Sequence, residues 1–436
     1  VNSMNNNAQP PVCCDTPGRS LSERIGRDLP RRYRAEKRFR RLGLTAIVVA
    51  LSFLVFLFGS IIGSGYSAFR QTYVELAVTF DESAFTSENL AAADFPGLVK
   101  QSLRTMFPEV EGRAALKNLY RIVSPSAAYT LQDMVAENPK LIGTTQRIWV
   151  LADDDVDMLI KGQISGAGEE ANRRLKDDQL AWITTLRDQG RIETRFNTTF
   201  FTAGDSREPE QAGIRGAVMG SFYSLLITLL LSFPIGVMAA IYLEEFAPDN
   251  ILTNVIEVNI NNLAAVPSII FGLLGLAIFI NFFGMPRSTP VVGGLVLTLM
   301  TLPVIIIASR AALKSVPPSI REAALGIGAS KMQTVIHHVL PLALPGMLTG
   351  TIIGMARALG DTAPLLMIGM IAFIVDIPSG FTDPATALPV QIFLWADSPE
   401  RAFTEKTSAA IMILLAFLIA MNATAVFLRK KFEIKW

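Results

Sequence analysis

Residues 315–346 read SVPPSIREAALGIGASKMQTVIHHVLPLALPG. Two helix starts can be recognised in this stretch. Ser319 with Glu322 three positions on has capping-box spacing just after Pro317 and Pro318, and Ser330 with Gln333 repeats it after Gly326 and Gly328. On the first helix Ile320, Ala323, Ala324 and Ile327 share a face, and on the second Met332, Val335, Ile336 and Val339 do. The spacing predicts two short helices joined by one tight turn. Such an amphipathic hairpin must bury its apolar face against its own chain or against another protein. On the plainer of these readings Glu322 is only a cap and the hairpin only packs beneath its own domain.

The flanking sequence is too apolar to be an ordinary soluble enzyme. Half of the 436 residues are hydrophobic (50%) and the mean hydropathy is +0.39. About six stretches reach the roughly 20 apolar residues that a bilayer crossing needs: about 44–66, 214–242, 260–283, 289–309, 344–372 and 408–428. The run RIGRDLPRRYRAEKRFRR before the first stretch is strongly basic and reads as a cytoplasmic anchor rather than a nucleic-acid or anionic-lipid patch. An even number of crossings then returns Arg429, Lys430, Lys431 and Lys435 to the same side, so both termini are expected in the cytoplasm. The first stretch is longer than a signal h-region and lacks a small-residue cleavage site, so it is expected to be retained. Cys13 and Cys14 lack the spacing of a metal or redox motif. The adjacent His337 and His338 point about 100° apart on a helix. No metal site is expected.

The organisation read from the sequence is a basic tail (1–43), a first span (44–66), an extracytoplasmic domain (67–213) and a membrane domain (214–436). In the extracytoplasmic domain, Tyr73–Phe80 alternates like a strand and Glu169–Arg187 has a helical pattern, which predicts a small α+β fold. The acidic run Asp153, Asp154, Asp155 and Asp157 lacks the glycine and closing glutamate of a calcium loop and reads as a solvated loop. In the membrane domain, Pro234, Pro267, Pro303, Pro345 and Pro364 interrupt apolar segments. Helices broken in this way are common along permeation paths and equally compatible with a kinked structural bundle.

The string from Glu322 to Pro341, with Ala323, Ala324, Gly328 and the Leu340–Pro341 pair, resembles the EAA loop of bacterial ABC importer permeases. Asn262–Leu276 (NLAAVPSIIFGLLGL) and Ala356–Leu366 (ARALGDTAPLL) resemble the phosphate-importer permeases of the PstA type, in a long form with an extra extracytoplasmic domain. Two positions depart from that pattern: Ala265 stands where glycine is common, and Asp361 where glutamate is common, keeping the charge. The resemblance implies an all-α polytopic membrane protein with a MetI-like core of about six helices, in the bacterial inner membrane. It also implies that Glu322, Ala323, Ala324, Gly328, Leu340 and Pro341 couple the chain to an ABC ATPase dimer.

Further implied partners are a second, PstC-like permease, a periplasmic phosphate-binding protein and membrane lipid, with no nucleic acid. The chain has no GxxxxGK[ST] phosphate loop, so ATP and Mg are expected on the partner ATPase and no cofactor or enzymatic site on this chain.

Arg310, Arg357 and Asp361 are the candidate translocation-path residues, because arginine's planar fork suits phosphate. Arg357 and Asp361 stand four apart in an apolar segment, where an unpaired charge costs about 2.5–3.5 kcal/mol, so they should pair or line water. Arg310 reads equally as a charge anchor at the end of its span, and Arg357 with Asp361 also as a structural ion pair. Ser268 and Thr301 stand near prolines and could offer hydroxyls to a substrate, but both are expected to bond back to their own helices. The competing functions are a permease for another oxyanion, such as sulfate or molybdate, and an ion-gradient-driven secondary transporter. The latter predicts a second copy of the proline-broken segments, and none is recognisable. A membrane-anchored sensor would require a cytoplasmic effector domain, and the sequence contains no segment that reads as one.

Overall fold

The computed structural model places a strand over Tyr73–Thr79 of the Tyr73–Phe80 alternation and starts it three residues earlier, at Arg70. The structure describes residues 21–81, 85, 93–164 and 174–432. Cys13, Cys14, Lys435 and the start of the 169–187 helix pattern lie outside the described residues. Residues 1–60 and 61–436 form two units. In the first, the basic run and the apolar run are one continuous helix, α1 (Leu21–Gly65), whose last turn belongs to the second unit.

The insert between the first and second apolar stretches contains β1 (Arg70–Thr79), α2 (Phe95–Met106), α3 (Arg113–Tyr120), α4 (Ala127–Glu137), β2 (Thr145–Leu151), α5 (Asp154–Ile160), α6 (Asp177–Asp188) and β3 (Ile192–Phe196). The strands form one antiparallel sheet in the order β2-β1-β3, with Tyr73 opposite Leu151 on one side and Glu193 on the other. Val74, Leu76 and Val78 point to one face and are fully buried with Leu103, Leu119, Leu131, Val150 and Leu186. Each such side chain contributes roughly 1.5–3 kcal/mol relative to exposure. On the other face the Arg195 guanidinium lies 4.7 Å from the Trp149 ring centre and 5.4 Å from that of Tyr73.

The acidic run is not the solvated loop that its composition suggests. Asp153 caps α5, so Asp154 and Asp155 fall in the first helical turn, where the exposed N–H groups favour negative charge. Asp157 is buried and accepts a hydrogen bond from the Thr72 N–H at 2.9 Å. Burial, reinforced by the neighbouring Asp154, pushes Asp153 up to about 8. Burial likewise pushes Glu210, which accepts a hydrogen bond from the Ser124 hydroxyl, up to about 7. A raised carboxyl pKa means that the folded state holds a proton that the unfolded state has released. Stability contributed by Glu210 is therefore full below about 4.5 and is lost as pH rises towards about 7, by on the order of 3 kcal/mol. Denaturation of the full chain in detergent should show lower stability at pH 7.5 than at pH 5.5. Glu210→Gln should flatten that slope, and an unchanged slope in this variant would contradict the assignment.

The membrane domain follows α7 (Thr198–Thr202) and comprises α8 (Arg215–Ile241), α9 (Ile251–Ala264), α10 (Ser268–Gly275), α11 (Pro290–Lys314), α12 (Pro318–Gly326), α13 (Lys331–Thr334), α14 (Leu340–Gly360), α15 (Ala363–Met367), α16 (Leu388–Ala396) and α17 (Ala402–Phe432). Among the described residues five helices are long and apolar enough to cross a membrane, or six if a bent pair counts as one span.

Two of the expected stretches take a different form. The stretch about 260–283 is not one straight helix: α9 and the helix starting at Ser268 meet at 102°, where Pro267 cannot donate its backbone bond. The stretch about 344–372 belongs to a helix that starts upstream at Lys331 and stops at Gly360, because Asp361 takes an extended conformation (ψ 108°) ahead of Pro364.

Helix α11 is the centre of the bundle, between α8 and α14. Its contact with α14 is a seam of small residues. A side chain at Gly350 would place its first carbon 2.2 Å from Ala308, and one at Gly346 would lie 2.6 Å from Ala312. The four-residue spacing lets two backbones approach closely in lipid, where packing rather than water exclusion drives association.

Buried polar contacts hold the insert to the membrane helices. The Lys161 ammonium pairs with Glu405 at 2.8 Å and with Asp157 at 2.5 Å, and Gln163 also donates to Glu405. The Lys161 and Glu405 side chains are 5% and 3% exposed. Trp395 donates to Asp205 at 3.0 Å, and Lys406 donates to the Ala212 carbonyl at 2.7 Å.

Candidate functional site

The loop of residues 315–346 differs from the expected hairpin in two respects. Its first helix is capped by Pro317 without a side-chain bond, so the Ser319–Glu322 box does not form and Glu322 is exposed. Pro318 at the first helical position already sets the helical φ, which removes the need for that box. The Ser330–Gln333 box does form, with both reciprocal bonds present. It opens not a short helix but the head of a continuous helix that runs through a π-helical turn, Val335–Val339, into α14. That turn contains His337 and His338.

Gly328, at φ +88°, makes the bend between the two helices, in the left-handed region where other residues are strained. The apolar faces divide. Ala324, Val335 and Val339 are buried, whereas Leu325, Ile327, Met332 and Ile336 are exposed, with Ile327 at 83%. Ala323 and Gly328 are exposed beside them, and Leu340 and Pro341 begin α14. The loop thus packs one set of its apolar residues under its own bundle and presents a second set outward.

A salt-bridge cluster fixes this loop to the membrane helices. Arg321 donates to Glu245 at 2.6 Å and to the carbonyls of Leu313 and Val316 at the end of α11. Arg310 pairs with Glu257 at 2.6 Å and Glu244 at 3.4 Å, and Lys314 lies 3.7 Å from Glu244. Glu244 and Glu245 sit on the π-helical turn Tyr242–Phe246 that ends α8, and Glu257 is on α9. Four elements, α8, α9, α11 and α12, are joined through six side chains. Arg321, Glu244, Glu245 and Glu257 were not picked out by sequence reasoning. Their only local signal is a pair of acids closing an apolar run.

Arg357 and Asp361 do not form an ion pair. Asp361 follows the end of α14 in an extended conformation, so the four-residue helical geometry that would align the two is lost. Asp361 instead accepts from the Ser268 hydroxyl at 3.0 Å. The expectation that Ser268 bonds back to its own helix is therefore not met: at the start of α10 the preceding residue is the proline of the bend, and the hydroxyl reaches across the bundle. Thr301 does bond back, to the carbonyls of Leu297 and Thr298. The Ser268–Asp361 bond brings together the stretches 262–276 and 356–366, whose buried residues Phe271, Leu359 and Leu365 share one core cluster. Arg357 is exposed, one turn before the end of α14, and no ion pair involves it among the described residues.

The sequence family described as binding-protein-dependent transport system inner membrane component matches residues 232–434, and a domain of unknown function, DUF3333, matches residues 26–170. A probable ABC transporter permease, YqgI of Bacillus subtilis, is 38% identical over 167 residues, covering 38% of this chain and 56% of that protein. The phosphate transport system permease protein PstA 1 of Mycobacterium tuberculosis is 30% identical over 223 residues, covering 51% of this chain and 72% of that protein. Among solved structures, a chain of an inward-facing MetNI methionine ABC transporter aligns at TM-score 0.39 with 18% identity, covering 51% of this chain and 96% of that one. That likeness is too distant to argue from.

Proposed function

The chain belongs to the binding-protein-dependent transport system inner membrane components, and from that premise we propose that it is the permease subunit of an ATP-driven phosphate importer of the PstA type. The observation that carries this reading is the outward-facing set Leu325, Ile327, Met332 and Ile336 on a loop that Arg321 ties to α8 and α11. Exposed apolar side chains on a rigidly held helix are what a docking partner recognises.

In this reading Glu322, Ala323, Ala324 and Gly328, with Leu340 and Pro341 behind them, meet a separate ABC ATPase dimer that carries the ATP and Mg. Movement of the ATPase subunits is passed through the Arg321–Glu245 and Arg310–Glu257 pairs to helices α8, α9 and α11. This chain and a second, PstC-like permease then each form half of the path, and a periplasmic phosphate-binding protein delivers the anion to it. Both termini lie in the cytoplasm, and the insert faces the periplasm.

Arg357 is the path residue with a charge left to offer phosphate, and Asp361, held by Ser268, fixes the end of its helix. Arg310 serves mainly as the hub that keeps α8, α9 and α11 together. Phosphate uptake into vesicles holding the complete complex tests the assignment. Arg357→Gln removes charge-assisted hydrogen bonds worth about 1.5–3 kcal/mol and is expected to reduce uptake about tenfold or more with the complex intact. Uptake driven by an ion gradient without ATP, or ATP-driven uptake of sulfate or molybdate in preference to phosphate, would overturn it.

A further inference from the structure

Where the insert meets the membrane helices, three phenylalanine rings stand in a row. Phe201 stacks on Phe69 at 5.8 Å with an interplanar angle of 11°, and on Phe196 at 5.7 Å with 7°. The row rests on Phe200, which is fully buried and meets Phe69 and Phe201 edge-on. Its outer side is open: Phe196 is 61% exposed, Phe201 38% and the neighbouring Tyr66 54%. Arg70, exposed and paired in register with Phe196, lies with its guanidinium 5.2 Å from the Tyr66 ring centre and donates to the Tyr66 hydroxyl at 3.0 Å.

The height of this row is set by three apolar helices. Ile214, the residue that caps α8, donates its N–H to the Phe200 carbonyl at 2.8 Å. Gly65, the last residue of α1, packs so closely on α17 that a side-chain carbon there would lie 2.8 Å from the Ala409 nitrogen. The 3₁₀ turn Tyr66–Phe69 follows directly. The rings therefore sit at the ends of α1, α8 and α17 on the side that carries the insert.

We infer that this row is a lipid anchor: Phe196, Phe201 and Tyr66 enter the headgroup boundary of the leaflet beneath the insert, and Arg70 sits at the level of the lipid phosphates. The chemistry favours lipid over water. Stacked phenyl rings open to solvent are unfavourable in an aqueous setting, whereas aromatic side chains with a nearby arginine are stabilised at a membrane boundary. A protein partner is the competing occupant, but the direct continuity of the patch with three membrane helices points to lipid. The anchor would fix the tilt of the insert, and with it the position of any surface the insert offers to a soluble partner.

The inference rests on the membrane-spanning reading of the chain, and its test separates the two. In the full chain with Cys13→Ser and Cys14→Ser, a single cysteine is introduced as Phe196→Cys or, independently, Tyr66→Cys. Each is labelled with a nitrobenzoxadiazole fluorophore and reconstituted in phosphatidylethanolamine–phosphatidylglycerol vesicles. Nitroxide at the lipid headgroup is expected to cause loss of emission at both positions, with protection from aqueous iodide. The exposed Tyr129→Cys on α4 should lose emission to iodide alone. Phe427→Cys, exposed on α17, is the membrane control and should respond to lipid nitroxide wherever α17 spans. Iodide quenching at Phe196 and Tyr66 without lipid quenching would overturn the anchor, as would protection from both quenchers, which would place a protein there. Failure at Phe427 would instead count against the membrane reading.

Discussion

Ile327→Asp is expected to uncouple the complex while leaving the chain folded. Ile327 is 83% exposed and lies next to the Gly328 bend, so its replacement disturbs no packing within the chain. A carboxylate placed at the centre of the proposed docking face would have to be desolvated against the ATPase. The loss of a central contact of this kind costs about 2 kcal/mol or more, roughly 30-fold in affinity. Phosphate-stimulated ATP hydrolysis should fall accordingly, and co-purification of the ATPase should weaken. Glu322→Arg and Gly328→Trp should act in the same direction, the latter because its left-handed φ of +88° is strained for any side chain. Full coupling in Ile327→Asp would mean that the ATPase docks elsewhere.

Lys161→Met is expected to produce the largest loss of stability. Lys161 faces two carboxylates, Asp157 and Glu405, and the Lys161 and Glu405 side chains are almost completely buried. Removing one member of a buried pair leaves an uncompensated charge, at a cost of about 3–5 kcal/mol. Denaturant unfolding of the detergent-solubilised chain should register this loss. The double change Lys161→Met with Glu405→Gln should recover a large part of it, because the cost lies in the stranded charge rather than in the pair itself. If the double variant is no more stable than Lys161→Met alone, the cost lies in lost packing instead.

Features set by neighbouring residues were legible in the sequence. The Ser330–Gln333 cap needs only a three-residue spacing, and the β1 strand only its alternation, and both are present. Where a local rule failed, a competing local feature outweighed it. Pro317 and Pro318 begin α12 without the Ser319 cap, and the extended Asp361 breaks the helix that would have paired it with Arg357.

What stayed hidden depended on distant pairing. Glu245 and Arg321 are 76 positions apart, and Arg310 and Glu257 are 53 apart, so no window of sequence contains both members. Pro267 marks where the helix breaks, but not the 102° by which it turns, which is decided by what α10 packs against. The seam at Gly346 and Gly350 likewise depends on Ala308 and Ala312 of the facing helix, about 40 positions away.

The Lys161–Glu405 pair also bears on the order in which the molecule is made. Its two members are 244 positions apart, so at a synthesis rate of about 5–20 residues per second the insert waits on the order of ten to fifty seconds for the helix that completes its seat. During that interval Lys161 has Asp157, four residues away, as a provisional partner, and the insert's own core can already close. Arrival of α17 then turns a tethered domain into a fixed one. A chain truncated before Glu405 should therefore carry a folded but loose insert, recognisable to quality-control proteases as an unfinished product.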